Sequence, residues 1–191
     1  MVNINRKIKN RLVFAAFFAA LIAVSQFFII PLPGGVPIVL KNLFVVLAGT
    51  VLGSFYGGVS LLIFIAAGVL GAPVFVIPGP AAFNTPLGGY IIGYFFASLT
   101  AGLICGLPKI SEKKTTLFFT LRLTLASILG FSIIIFCGVF FMSRLLSISF
   151  KAALIAGCLP YIPGDLIKLA ISIPLALKLR PIAARYLNDK A

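Results

Sequence analysis

Asp165 and Lys168 are the residues of this chain best placed to do chemistry. Asp165 is the one acid outside a polar loop that holds Glu112 and a tail that holds Asp189. Lys168 follows three residues on, so on a helix the two share a face. An ion pair inside an apolar segment is expensive, which makes it a functional hypothesis by default. Pro163-Gly164 just before it also reads as a helix start, where a carboxylate satisfies backbone N–H groups and Lys168 is a simple counter-ion. The two readings are compatible, because a helix that begins at membrane depth must line protein or a cavity.

Three other side chains join the candidate set. Asn84 and Tyr90 flank Pro86-Leu-Gly-Gly89. Asn supplies a donor and an acceptor, and Tyr a ring with a hydroxyl tip. The plainer reading is a turn residue and an interfacial aromatic. Lys41 is a further base that either snorkels to headgroups or faces a cavity. Nothing in the chain supports catalysis. It lacks histidine, a carboxylate pair and a phosphate-binding loop, and Cys105, Cys137 and Cys158 have no metal-ligand spacing. The chain is therefore expected to be no enzyme and to need no cofactor, and any ATP hydrolysis belongs to another subunit.

The elements that position these residues follow from composition. Of 191 residues, 61% are hydrophobic and 10% charged, against about 25% charged in a soluble domain. Lipid is the solvent for such a chain. Strand alternation is missing from the long apolar runs, and helices satisfy their own backbone there. At roughly 20 residues per span, the sequence predicts an all-α polytopic membrane protein with six transmembrane helices in a single domain, 1–191. The helices are expected at about 12–30, 38–52, 58–70, 88–107, 116–141 and 165–179. Pro- and Gly-rich connectors at 31–37 and 74–87 and the break at 160–164 separate them. The first apolar run resembles a signal sequence but is read as a retained helix.

Charge predicts the orientation. The N-terminal bases, Lys109, Lys113 and Lys114, and Lys178, Arg180, Arg185 and Lys190 fall on one side of a six-helix count. Arg144 and Lys151 fall on the other. Positive-inside bias puts both termini in the cytoplasm and the connectors outside. The net charge of +13 then reads as topology and contact with membrane lipid, with no role for nucleic acid. In the first helix Ala15, Ala19 and Ala23 form a small-residue stripe with Ala16 and Ala20 beside it. Such a stripe serves packing within the bundle or docking of a partner membrane subunit.

At these residues the sequence resembles the BioY family, the biotin-binding substrate-capture (S) components of energy-coupling-factor vitamin transporters. Four motifs in order carry the resemblance. Pro33 to Gly49, PGGVPIVLKNLFVVLAG, is similar to P-x-x-x-P-x-x-x-Q-x-L-F-V-x-L-A-G. Gly68-x-x-Gly71-x-Pro73-Val-Phe75 is the second. PLGGYIIG from Pro86 to Gly93 is close to P-T-G-G-Y-L-x-G. The last is Pro160-x-x-Pro163-Gly-Asp-Leu-Ile-Lys168, followed by Arg180-Pro181. Lys41 stands where the family usually has Gln, and Leu87 where Thr is usual.

The resemblance implies a multi-pass protein of the cell membrane that captures biotin through Asn84, Tyr90, Asp165 and Lys168, with Lys41 beside them. Asp165 would accept a ureido N–H, while Lys168 and Asn84 would meet the ureido oxygen or its surroundings. It also implies partners, a transmembrane coupling subunit docked on Ala15, Ala19 and Ala23 and separate ATPase subunits. The alternatives are an S component for another small vitamin and a stand-alone biotin carrier.

Overall fold

The computed structural model of the protein describes residues 2–30, 38–109 and 117–187. The expected connector at 31–37, most of the polar loop and the last four residues lie outside them. Helix α1 spans Val2–Val24. A two-residue ladder follows, in which β1 (Ile29–Ile30) pairs antiparallel with β2 (Ile38–Val39). Then come α2 (Lys41–Val69), a 3-10 turn at Pro80–Asn84 and α3 (Gly88–Cys105). The chain closes with α4 (Leu117–Leu145), α5 (Phe150–Gly157), a second 3-10 turn at Leu159–Tyr161 and α6 (Ile162–Leu187).

The helical class stands, but the count of six transmembrane helices does not. Four helical units among the described residues are long and apolar enough to cross a membrane: Lys41–Val69, Gly88–Cys105, Leu117–Leu145 and the run Phe150–Leu187. Two effects account for the difference. The helices expected at 38–52 and 58–70 are one element, bent where Gly53 leaves helical geometry at φ 80°, ψ 174°. Only glycine holds that conformation at little cost. The expected loop Gly53–Gly58 is therefore a bend at a single residue. The first helix begins at Val2 and takes in Arg6, Lys7, Lys9 and Arg11, so its polar half removes it from the apolar set. The inference that both termini are cytoplasmic rested on the six-span count and falls with it.

The end of the chain also departs from expectation. The helix expected at 165–179 starts at Ile162 and runs to Leu187, through Pro174 and Pro181. Proline inside a helix removes one hydrogen bond, but membrane bundles tolerate it where neighbours re-satisfy the backbone.

Close approach of small residues holds the bundle together, since lipid offers helices little hydrophobic reason to associate. A Cβ on Gly49 would lie 2.2 Å from the Ser98 carbonyl oxygen, and one on Gly102 2.3 Å from the Ser54 nitrogen. The two parts of α2 thus lie backbone to backbone on α3. A Cβ on Gly57 would lie 2.8 Å from the Gly49 Cα, so the bend at Gly53 turns α2 back on itself. On the far side of α3, Gly89 abuts Phe141 of α4. The glycine pairs 49/53, 53/57, 89/93 and 102/106 therefore sit at or beside internal contacts. Outward, Leu103, Phe55, Leu117 and Phe118 are among many exposed apolar side chains, as a lipid-facing surface requires.

α6 has a regular inward face. Asp165, Lys168, Ser172, Ala176, Arg180, Ala184 and Leu187 are all buried at three- to four-residue spacing. Its middle is small and its two ends are charged. At 1.5 Å per residue the two charged ends stand about 22 Å apart.

Candidate functional site

The first turns of α2, α3 and α6 converge at one end of the bundle. α6 begins at Ile162, three residues before Asp165. Asp165 therefore stands inside the first turn rather than at the cap. Its Oδ1 lies 2.5 Å from Lys168 Nζ, and both side chains are buried. Among the described residues Oδ1 takes no hydrogen bond beyond this ion pair. A buried carboxylate oxygen in this state retains acceptor capacity. Lys168 Nζ also donates to the Val39 carbonyl at 3.3 Å, tying α6 to β2.

Lys41 is the first residue of α2, two positions beyond Val39. It is buried, so it does not snorkel. Its Nζ donates to Gln26 Oε1 and, at 3.1 Å, to the Val74 carbonyl. One ammonium thereby fastens the segment after α1 and the segment after α2 to the start of α2. It also lies 5.4 Å from the centre of the Phe64 ring. An edge-to-face file of aromatics leads on from there. Phe64 meets Phe75 at 5.5 Å, and Phe75 meets Phe83 at 6.1 Å. Gly68 makes room for this file, because a Cβ there would lie 2.3 Å from the Phe75 ring.

The file ends beside Asn84. Asn84 closes the 3-10 turn and is exposed. The turn is pressed on the start of α3, where a Cβ on Gly88 would lie 2.6 Å from the Phe83 carbonyl oxygen. α3 begins at Gly88, as expected. Two residues later Tyr90 donates its hydroxyl to the Gly157 carbonyl at 2.7 Å. Its ring fills the space left by Gly138 of α4, so Tyr90 clamps α3 to α4 and α5.

Tyr90→Phe removes the bond to Gly157 and keeps the ring. The expected result is a loss of about 1 kcal/mol of stability, read as a fall of about 2–4 °C in the melting midpoint in detergent. An unchanged midpoint would mean that ring packing alone holds α5.

Arg180 is the structural residue whose place the sequence did not reveal. It was expected in a basic tail beyond the last helix, yet it is fully buried. Its guanidinium donates to the carbonyls of Thr50, Cys105, Gly106 and Leu107 and covers the Phe119 ring at 5.1 Å. These carbonyls lie near the bend of α2 and at the end of α3, where helices leave acceptors unsatisfied. The spacing 168, 172, 176, 180 was the signal that put Arg180 on the inward face. At the same end Arg11 donates to the Leu187 carbonyl at 3.0 Å, and Arg122 donates to the Ile104 carbonyl.

The small stripe of α1 mostly faces inward. Ala15 and Ala19 are buried, Ala23 is half-buried, and Ala16 and Ala20 are exposed. Two surface cavities lie apart from the candidate site. One, of about 580 Å³, lies where α4 gives way to α5. The other, of about 480 Å³, runs along α1.

Comparison with known proteins decides which family carries this arrangement. The family model described as BioY family matches residues 2–185. The chain belongs to the BioY family. It is 32% identical to the biotin transporter BioY of Thermotoga maritima over 91% of this chain and 97% of that one. It is also 32% identical to the biotin transporter BioY of Lactococcus lactis subsp. cremoris, over 92% and 93% of the two chains. The fold is similar to a crystal structure of the S-component for biotin from an ECF-type ABC transporter. That similarity has a TM-score of 0.76 at 31% identity, covering 92% of this chain and 93% of that one. As a BioY protein the chain is a polytopic protein of the cell membrane that works in transport.

Proposed function

We infer that this BioY protein captures biotin at the end of the bundle that holds Asp165 and Lys168, as the substrate-binding component of an energy-coupling-factor transporter. The observation that carries the reading is the buried Asp165–Lys168 pair, whose carboxylate Oδ1 takes no further hydrogen bond among the described residues. A ureido N–H is a suitable donor for it. Lys168 and the exposed Asn84 amide offer donors toward a ureido oxygen. With Lys41 counted, the site carries one net positive charge, which suits a ligand with a neutral polar head and a carboxylate tail. The aromatic file and Tyr90 suit the apolar ring and chain between them. The expected result is saturable heat when biotin is titrated into the purified protein in an isothermal calorimeter. No heat from biotin, with a signal from another vitamin, would overturn the substrate.

Uptake needs partners. A transmembrane coupling subunit would pack along α1, where Ala16 and Ala20 are exposed beside the inward Ala15, Ala19 and Ala23. The groove lined by Ile8, Lys9, Leu12, Val13 and Ala16 offers a concave part of that face. ATP hydrolysis would take place on separate ATPase subunits, and this chain would work as a transport protein rather than an enzyme.

A further inference from the structure

The junction of α4 and α5 carries a second feature, apart from the vitamin site. Its cavity of about 580 Å³ is lined by Phe140, Ser143, Arg144, Ser147, Ile148 and Phe150. Gly89 and Tyr90 of α3 pack on the C-terminal part of α4, so this cavity and the site residues lie toward the same end of the bundle. Three polar side chains and three apolar ones make an amphipathic lining.

Arg144 supplies the charge. Its guanidinium lies 5.4 Å from the centre of the Phe140 ring. Stacking on an aromatic face leaves the in-plane N–H fork available for an anion. Among the described residues no acceptor takes those N–H groups. The chain holds three acids against sixteen bases, and the buried acid Asp165 is already paired with Lys168. Lys151 is not a lining residue, but it follows the lining Phe150 in the chain and is exposed, a second cation beside the cavity. The N-terminus of α5, capped by Ser149, adds the partial positive charge of a helix start. An apolar wall continues from this charged rim. Phe136 stacks on Phe140 at 6.1 Å and meets Phe150 at 6.5 Å, and all three rings are exposed on the outer surface.

We propose that the α4–α5 cavity binds an anionic phospholipid, its phosphate on Arg144 and Lys151 and an acyl chain along Phe136, Phe140 and Phe150. The aromatic wall argues for a lipid over a free anion. The lack of an acid among the lining residues argues for a net negative headgroup, because a zwitterionic one would bring its own cation against Arg144 and Lys151. Such a lipid neutralises the rim and braces the junction between α4 and α5.

The test is native mass spectrometry of the purified full chain with phosphatidylglycerol or phosphatidylcholine of the same acyl chains. The expected result is preferential retention of phosphatidylglycerol. Arg144→Gln and Lys151→Gln are each expected to weaken it about fivefold. Phe140→Ala is expected to weaken both lipids. Circular dichroism and monodisperse elution establish that each variant is folded, and Lys151→Gln, at an exposed position, serves if Arg144→Gln is not. Equal retention of the two lipids would overturn the proposal. So would a phosphatidylglycerol preference unchanged in the folded variants. Competition by soluble glycerol phosphate at the same concentration as the lipid would reassign the cavity to a free anion.

Discussion

Asp165→Asn is expected to weaken biotin binding by about ten- to a hundredfold. A hydrogen bond to a charged acceptor contributes about 1.5–3 kcal/mol, and each 1.4 kcal/mol is about tenfold in affinity. Asparagine is nearly isosteric, so the change removes charge and leaves shape. It also leaves the buried Lys168 with neutral acceptors alone, the Val39 carbonyl among them, which adds the penalty of an ion without a counter-charge. Lys41→Gln is the informative contrast. Lys41 acts through the Gln26 side chain and the Val74 carbonyl, and a glutamine amide can donate to one of them. Its expected loss is below about tenfold on the same scale. Calorimetric titration of both variants, with monodisperse elution as the control for folding, checks the order. An unchanged affinity in Asp165→Asn would leave the carboxylate with the single task of pairing Lys168.

Arg180→Ala is expected to cause a large loss of stability. The guanidinium serves the carbonyls of Thr50, Cys105, Gly106 and Leu107, and each buried acceptor left unsatisfied costs about 1–3 kcal/mol. Even at the low end, and discounting the long Leu107 bond, the loss is about 3 kcal/mol. For a chain of this length that lowers the melting midpoint by about 10 °C. Arg180→Lys keeps the charge but not the planar fork, so its midpoint is expected between the two. The check is the monodisperse fraction remaining after heating in detergent, run for all three proteins. A shift of less than about 2 °C in Arg180→Ala would mean that those carbonyls find other donors. Arg180 lies about 22 Å from Asp165 along α6, so biotin affinity in the surviving folded fraction is expected to be unchanged.

These two residues also mark how far the sequence could be read. Asp165 and Lys168 were legible because charge in an apolar run is rare and their spacing is helical. The start of α3 was legible because Pro86 and two glycines punctuate the chain locally. Gly53 was legible as a breaker but not in its effect. GSFYGG reads as a loop, whereas only Gly53 leaves helical geometry, and two expected helices become one bent element. Arg180 was read as the start of a basic tail beyond a helix expected to end at 179. Its burial depends on carbonyls that are 74 and 130 residues away in sequence, and no local pattern reports them. Lys41 was recognised as unusual, but its partners lie on two different connecting segments.

The sequence by itself determined the solvent, the helical class, the family resemblance and the acid–base turn at the head of α6. All of these rest on local composition and spacing, which a chain carries whether or not it is folded. The tertiary structure decided the number of apolar spans, the inward face of Ala15 and Ala19, and the ties made by Lys41 and Tyr90. It also decided that the inward face of α6 ends in a charge at each end, a cation–carboxylate pair at one and a carbonyl-bound arginine at the other. Those outcomes depend on which backbones come within van der Waals contact, and glycines and buried acceptors far apart in the chain acquire that meaning only once it has folded.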